Sequence, residues 1–151
     1  LTFIRNDVIK FIESNYRADP NNRTYFGFSL GGLFGAYALM SHPDTFKNYI
    51  LGSPSLWRDI PLLFSLENAA LKTKSLEINL FISYGELEQK LAVHVEDFID
   101  QIKAKKYQAI SSIKQVVIDS SGHSDSFPMV GVRSVKWLKN LQPKGTNTET
   151  N

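Results

Sequence analysis

YFGFSLGG, residues 25–32, sets a single serine between glycines, directly after one apolar run and directly before another. Within it Gly27-Phe28-Ser29-Leu30-Gly31 has the pattern G-x-S-x-G. The preceding RTYFGF reads as a short buried strand, and the following LFGAYALM as a small-residue helix that stops at SHPD, where Pro43 forbids continuation. A serine on so sharp a strand-to-helix turn sits in strained backbone, and its neighbours two residues either side must lack side chains. The turn lifts the hydroxyl clear of the sheet and puts it at a helix N-terminus. Free N–H groups and the helix dipole there favour developing negative charge, with the N–H of Leu30 as one oxyanion donor. The competing explanation is a glycine-rich turn carrying an incidental serine; the strand before and the helix after favour a nucleophile.

Outward from this turn, strand and helix alternate. Residues 2–16 carry Phe3, Ile4, Val8, Phe11 and Ile12 at helical spacing, and ADPNNR then forms a turn. NYILGSP is a second strand, LWRDIPLLFSLENAALK holds one or two short helices, and EINLFISY is a third strand apolar enough for burial on both faces. Residues 88–106 form an amphipathic helix with Leu91, Val95, Phe98, Ile99 and Ile102 on one face. IKQVVIDS is a fourth strand and VGVRSVKWLKNL a last helix. This alternation is that of a parallel sheet with crossover helices, whose active sites collect at the C-terminal ends of strands. Ser29, Ser53, Glu86, Glu88 and His123 all follow such ends.

The bulk numbers narrow the field. A chain of 151 residues with 42% hydrophobic and 21% charged residues is one globular domain, and a net charge of +2 argues against nucleic acid or an anionic membrane as partner. No apolar run approaches the roughly 20 residues that span a bilayer. Cysteine is absent, which excludes a disulfide framework, thiolate chemistry and a Cys-based metal site. The start, LTFIRNDVIKFI, lacks both an initiator Met and the pattern of a signal peptide, so a beginning upstream of Leu1 is expected. Residues 1–141 read as one domain and QPKGTNTETN, residues 142–151, as a disordered polar tail.

A serine hydroxyl needs a base. His42 closes the helix that begins at the serine turn, a helix length away from the hydroxyl, and His94 lies on the amphipathic helix as a solvated residue. His123 stands in DSSGHSDSFP, a flexible loop after the fourth strand and before the final helix, where a base can reach Ser29. The third member, which orients the imidazole, comes from FISYGELEQK: Glu88 first, Glu86 second, with Asp119 and Asp125 too close to His123 in sequence. Either glutamate could instead cap the following helix.

RTYFGFSLGGLFGAYALMSHPDTFKNYILGSPSLWRD, LFISYGELE and GHSDSFP, in that order, resemble the "putative esterase" family of α/β-hydrolases over residues 1 to about 140. The family includes enterochelin-esterase-like enzymes, the esterase D type and several feruloyl and acetyl-xylan esterases. The resemblance implies a mostly parallel α/β-hydrolase sheet, present here as its C-terminal portion of about four strands. It implies a serine esterase with Ser29 as nucleophile, His123 as base and Glu88 as acid, acting on a small-molecule ester through an acyl-enzyme without metal or cofactor. An acyltransferase with the same residues, or a non-catalytic binding protein on the same fold, are the alternatives. SPSLWRD resembles a family loop that lines the substrate cleft, which gives Trp57 a substrate-binding role; core packing is its other explanation. Arg58 stands where the family often has a second aromatic. The family sheet has about eight strands, so an upstream segment of the same protein, or a partner subunit, is expected to complete the sheet at the edge holding Tyr25 and Phe26.

Overall fold

A computed structural model describes residues 1–141; the tail read over 142–151 lies outside the described residues. Four strands, β1 (Thr24–Phe28), β2 (Asn48–Gly52), β3 (Ile78–Gly85) and β4 (Ile110–Ile118), form one parallel sheet in the order β1-β2-β3-β4. Each connection steps one place in the same direction. Right-handed crossovers therefore put the intervening helices on a single face. These are α2 (Leu30–Ser41), α3 (Ile60–Ser65) and α4 (Gln89–Lys105). Their Ala36, Leu39, Leu63, Val95, Phe98 and Ile102 pack on Tyr49, Leu51, Leu80 and Ile82. Alternate residues of the same strands, Ile50 and Phe81, point the other way and meet Val130 and Trp137 of α5 (His123–Leu141). Both faces of β2 and β3 are thus covered, which explains why residues 77–84 are apolar almost throughout.

The remaining helix, α1 (Ile9–Asn15), continues from a π-helical turn over Ile4–Val8, so the helix read from residue 2 is present. Its apolar stripe is not covered, however: Phe3, Val8, Phe11 and Ile12 are all exposed. Arg5 ties this helix to the segment after α2 through a two-pronged pair with Asp44, at 2.9 and 2.8 Å.

Two boundaries differ from the sequence reading. The fourth strand starts at Ile110, three residues earlier than IKQVVIDS suggests. The last helix starts at His123, not Val130, and takes in Pro128. Proline is excluded from helix interiors because it lacks an N–H and crowds the carbonyl four residues back. Here that carbonyl belongs to Ser124, and both residues are exposed, so water can serve the freed group.

At the N-terminal end of the strands, side chains join across the whole sheet. Asn48 donates to Thr24 Oγ1 (3.1 Å), Asn79 donates to Asn48 Oδ1 (3.0 Å), and Ser112 donates to Asn79 Oδ1 (2.8 Å). These four are register partners on the four strands. A slip of any strand by one residue would break the ladder, so it fixes the alignment that brings the opposite strand ends level.

Candidate active site

The candidate side chains sit where the strands end. Ser29 follows β1 with φ 56° and ψ −114°, a conformation that L residues rarely adopt, and it serves as the N-cap of α2. Three backbone bonds hold it there. Its N–H donates to Gly52 O (2.9 Å), and its carbonyl accepts from Ser55 N (3.0 Å) and Leu33 N (3.1 Å). The glycine before it is sterically compulsory, since a Cβ on Gly27 would lie 2.3 Å from Gly31 O. The expectation that Gly31 must likewise lack a side chain is corrected: a Cβ there meets only Tyr25 Oη, at 3.8 Å. Tyr25 supports the turn from below by donating its phenol to Gly31 O at 2.6 Å. Burial raises the pKa of that phenol, which keeps it a donor. Leu30, the first residue of α2, has its side chain exposed, and its N–H is among those an α-helix leaves without an internal partner.

His123 does not lie on a flexible loop, as DSSGHSDSFP suggests, but is the first residue of α5. Its place depends on two loops locked together. Leu87 N donates to Ser121 O (3.0 Å), Glu86 N to Ile118 O (2.9 Å), and Ser120 N to the Glu86 carboxylate (2.7 Å). Gly85 makes this approach possible, because a Cβ there would stand 2.2 Å from Ser121 O. Glu86 is thereby committed to the backbone of the neighbouring loop, and Glu88 is left free to turn inward.

The structure brings Ser29, His123 and Glu88 into one line. His123 Nε2 lies 2.9 Å from Ser29 Oγ, and His123 Nδ1 lies 2.5 Å from Glu88 Oε1. Glu88 precedes α4 as its N-cap residue but makes no side-chain capping bond, so the capping explanation for it falls away. Its side chain is only 6% exposed, against 46% for His123, so the carboxylate is enclosed and the imidazole faces outward. Oε2 accepts from Gly85 N (2.7 Å) and from Ser53 Oγ (2.6 Å), which leaves Oε1 to the imidazole. A carboxylate at Nδ1 selects the tautomer with its proton there, so the bare Nε2 accepts from the Ser29 hydroxyl. Phe28 flanks the imidazole with ring centroids 5.0 Å apart.

The other candidates lie elsewhere. His42 is the C-cap of α2, at the end remote from Ser29, with Nδ1 3.0 Å from Ser41 Oγ. His94 lies on α4, half-buried, not fully solvated. Trp57 is 54% exposed under the Arg58 guanidinium, 4.7 Å from its ring, which rules out core packing for it. Two residues that the sequence reading gave no role also line the site. Ser53 is fully buried beside Glu88, and Ser55 Oγ lies 3.4 Å from Ser29 Oγ. Position after a strand was the only signal for Ser53, and serine alone carries none.

A family model described as "Putative esterase" matches residues 1–144. The chain belongs to this family. It is 29% identical over 153 residues to the ferri-bacillibactin esterase BesA of Bacillus subtilis (strain 168), covering 95% of this chain and 51% of that protein. It is 28% identical over 114 residues to the siderophore triacetylfusarinine C esterase of Aspergillus fumigatus, covering 72% of this chain and 39% of that one. Among solved structures, the BES protein from Bacillus cereus superposes with a TM-score of 0.80 at 24% identity, over 91% of this chain and 53% of that chain. Siderophore hydrolase EstA from Aspergillus nidulans gives 0.79 at 21% identity, over 94% and 56%. These likenesses show the α/β-hydrolase fold, as expected from the three motifs. The chain spans about half the length of these two structures and of BesA.

Proposed function

We propose that this esterase-family chain carries the catalytic machinery of a serine esterase, with Ser29 as nucleophile, His123 as base and Glu88 as the acid that orients it. The observation that carries the reading is the pair of contacts on one imidazole, 2.9 Å to Ser29 Oγ and 2.5 Å to Glu88 Oε1. Ser29 Oγ forms a bond to the ester carbonyl carbon while its proton passes to His123 Nε2. The carbonyl oxygen becomes an oxyanion within reach of the Leu30 N–H and the positive end of α2. Its collapse breaks the carbon–alkoxide bond, and Nε2 returns the proton to the leaving alcohol. Water then repeats the cycle on the acyl-enzyme, releasing the acid and restoring Ser29. The Glu88 carboxylate stabilises the imidazolium in both halves.

Similarity to the ferri-bacillibactin and triacetylfusarinine C esterases supports siderophore esters as the substrate class, and Trp57 and Arg58 are exposed shortly after Ser55, whose hydroxyl neighbours Ser29. Cavities of about 430 and 400 Å³, lined by Asn48 and Asn79 in one case and by Pro43 and Lys47 in the other, lie at the opposite end of the strands from Ser29. β1 is an edge strand with Phe26 exposed. An upstream segment, or a partner subunit, completes the sheet along this edge and closes the cleft.

A fluorophosphonate probe on the full-length protein tests the reading. Ser29→Ala is expected to abolish labelling, and His123→Ala to slow it at least a hundredfold. Undiminished labelling of Ser29→Ala overturns the assignment. Omitting the upstream segment is expected to cut p-nitrophenyl acetate turnover sharply, and ordinary turnover by residues 1–151 alone overturns the completion of the sheet.

A further inference from the structure

Ser53 stands out on three independent grounds. It is fully buried, with 0% exposure. It has φ 36°, a left-handed backbone for a residue that is not glycine. Its hydroxyl donates to Glu88 Oε2 at 2.6 Å. Strained conformations persist only where the surroundings over-determine them, and they gather where geometry serves function. Here the strain turns the Ser53 side chain from the end of β2 toward the start of α4. The backbone is pinned in that state by the Ser53 N–H, which donates to Ser83 O at 2.6 Å.

The contact has a second buried hydroxyl beside it. Ser126, on α5 and also 0% exposed, lies with its hydroxyl 3.3 Å from Ser53 Oγ and donates it to His123 O at 3.1 Å. Each hydroxyl has a single proton. The Ser53 proton is committed to the carboxylate and the Ser126 proton to the His123 carbonyl, so the two hydroxyls are close neighbours with no proton between them. Ser53 thus lies between Glu88 and the turn of α5 that carries His123.

We propose that Ser53 is a positioning residue for the esterase reaction: by occupying Glu88 Oε2 it holds the carboxylate in the one rotation that aims Oε1 at His123 Nδ1. This rests on the serine esterase reading above. Without the hydroxyl, Gly85 N is the one remaining donor to Oε2 among the described residues, and the carboxylate gains freedom to rotate away from the imidazole. A hydrogen bond to a charged group is among the stronger ones in proteins, so the expected effect is large. It appears in the chemical step and not in substrate binding, because Ser53 is buried out of substrate's reach.

The test is a double-mutant cycle in the full-length protein, read on p-nitrophenyl acetate. Ser53→Ala is expected to lower kcat about tenfold with KM within about twofold. Ser53→Gly, which removes the hydroxyl while relieving the backbone strain, is expected to do the same and guards against a folding defect in the alanine variant. In an Glu88→Ala background, Ser53→Ala is expected to change kcat by less than about twofold, since the group it acts through is gone. A merely structural role would move both backgrounds alike. Unchanged kcat in both single variants, or an equal further loss in the Glu88→Ala background, overturns the proposal. Failure of the esterase reading would show itself separately, as turnover that survives Ser29→Ala.

Discussion

Gly85→Ala tests the claim that two locked loops set the geometry of the site. A Cβ at this position would lie 2.2 Å from Ser121 O, 2.9 Å from Ser121 C and 3.0 Å from Gly122 O. All three are backbone atoms, so no side-chain rotation relieves the clash. Since real Cβ contacts essentially never fall below 3.0 Å, Ser121 must retreat by at least 0.8 Å. Ser121 and Gly122 lead directly into His123, and Glu88 hangs from the other loop. A displacement of that size along the line between them would open the 2.5 Å contact to about 3.3 Å, beyond the roughly 2.9 Å limit of a charge-assisted hydrogen bond. Misplacement of catalytic groups by about 1 Å costs on the order of a hundredfold in rate. The expectation is therefore a fall in kcat/KM of about 30- to 100-fold. Overpacking adds a stability loss of about 1–3 kcal/mol. The measurement is p-nitrophenyl acetate turnover by the full-length variant, paired with thermal unfolding to show that it is folded. A folded Gly85→Ala protein that keeps more than about a third of parental kcat/KM would refute the reasoning.

Two further outcomes concern stability. Glu67 accepts from Lys105 (2.6 Å) and Tyr107 (2.7 Å) and pairs with Lys72, which lowers its pKa from 4.5 to about 2, the Lys105 hydrogen bond being the largest cause. A carboxylate with a depressed folded value stabilises the fold above about pH 4.5 and loses that contribution as pH falls toward 2. Glu67→Gln is expected to cost about 1–2 kcal/mol at pH 7, discounted because both lysines are exposed, and the difference should vanish near pH 2 in urea titrations; a pH-independent difference contradicts it. Gly131 lies inside α5 with nothing within 4 Å of where a Cβ would sit, so Gly131→Ala is expected to add about 0.5–1 kcal/mol and raise Tm by a few degrees. A fall in Tm would show that this face of α5 is packed against something.

What the sequence revealed and what it concealed divide by the range of the interactions. The Ser29 turn was legible because its determinants are local: an apolar strand, Gly27, and a helix start within a few residues. His123 was legible from chain order and from its place after a strand, though Pro128 masked the helix that carries it. Glu88 and Glu86 could not be told apart, because both follow β3 by three residues or fewer. What separates them is tertiary, the Ser120 N–H that captures Glu86 and the Ser53 hydroxyl that reaches Glu88 from another strand. The stripe on α1 shows the converse. Amphipathic spacing announced a face to be buried, but periodicity carries no information on what buries it.

Backbone strain marks the site more sharply than any residue type. Among the described residues four that are not glycine have positive φ: Ser29, Ser53, Lys106 and Ser120. Lys106 is the left-handed C-cap of α4, an ordinary way to end a helix. The other three follow the C-terminal ends of β1, β2 and β4, and each is joined by hydrogen bonds to a neighbouring strand end or loop around Glu88 and His123. A parallel sheet whose central strands are buried on both faces, with its register fixed by the Thr24–Asn48–Asn79–Ser112 ladder at the far end, is stiff enough to hold such conformations. The ladder and the strained serines are thus two ends of one arrangement. Rigidity at the N-terminal edge of the sheet is what lets three strand ends at the other edge keep a hydroxyl, an imidazole and a carboxylate within hydrogen-bonding distance.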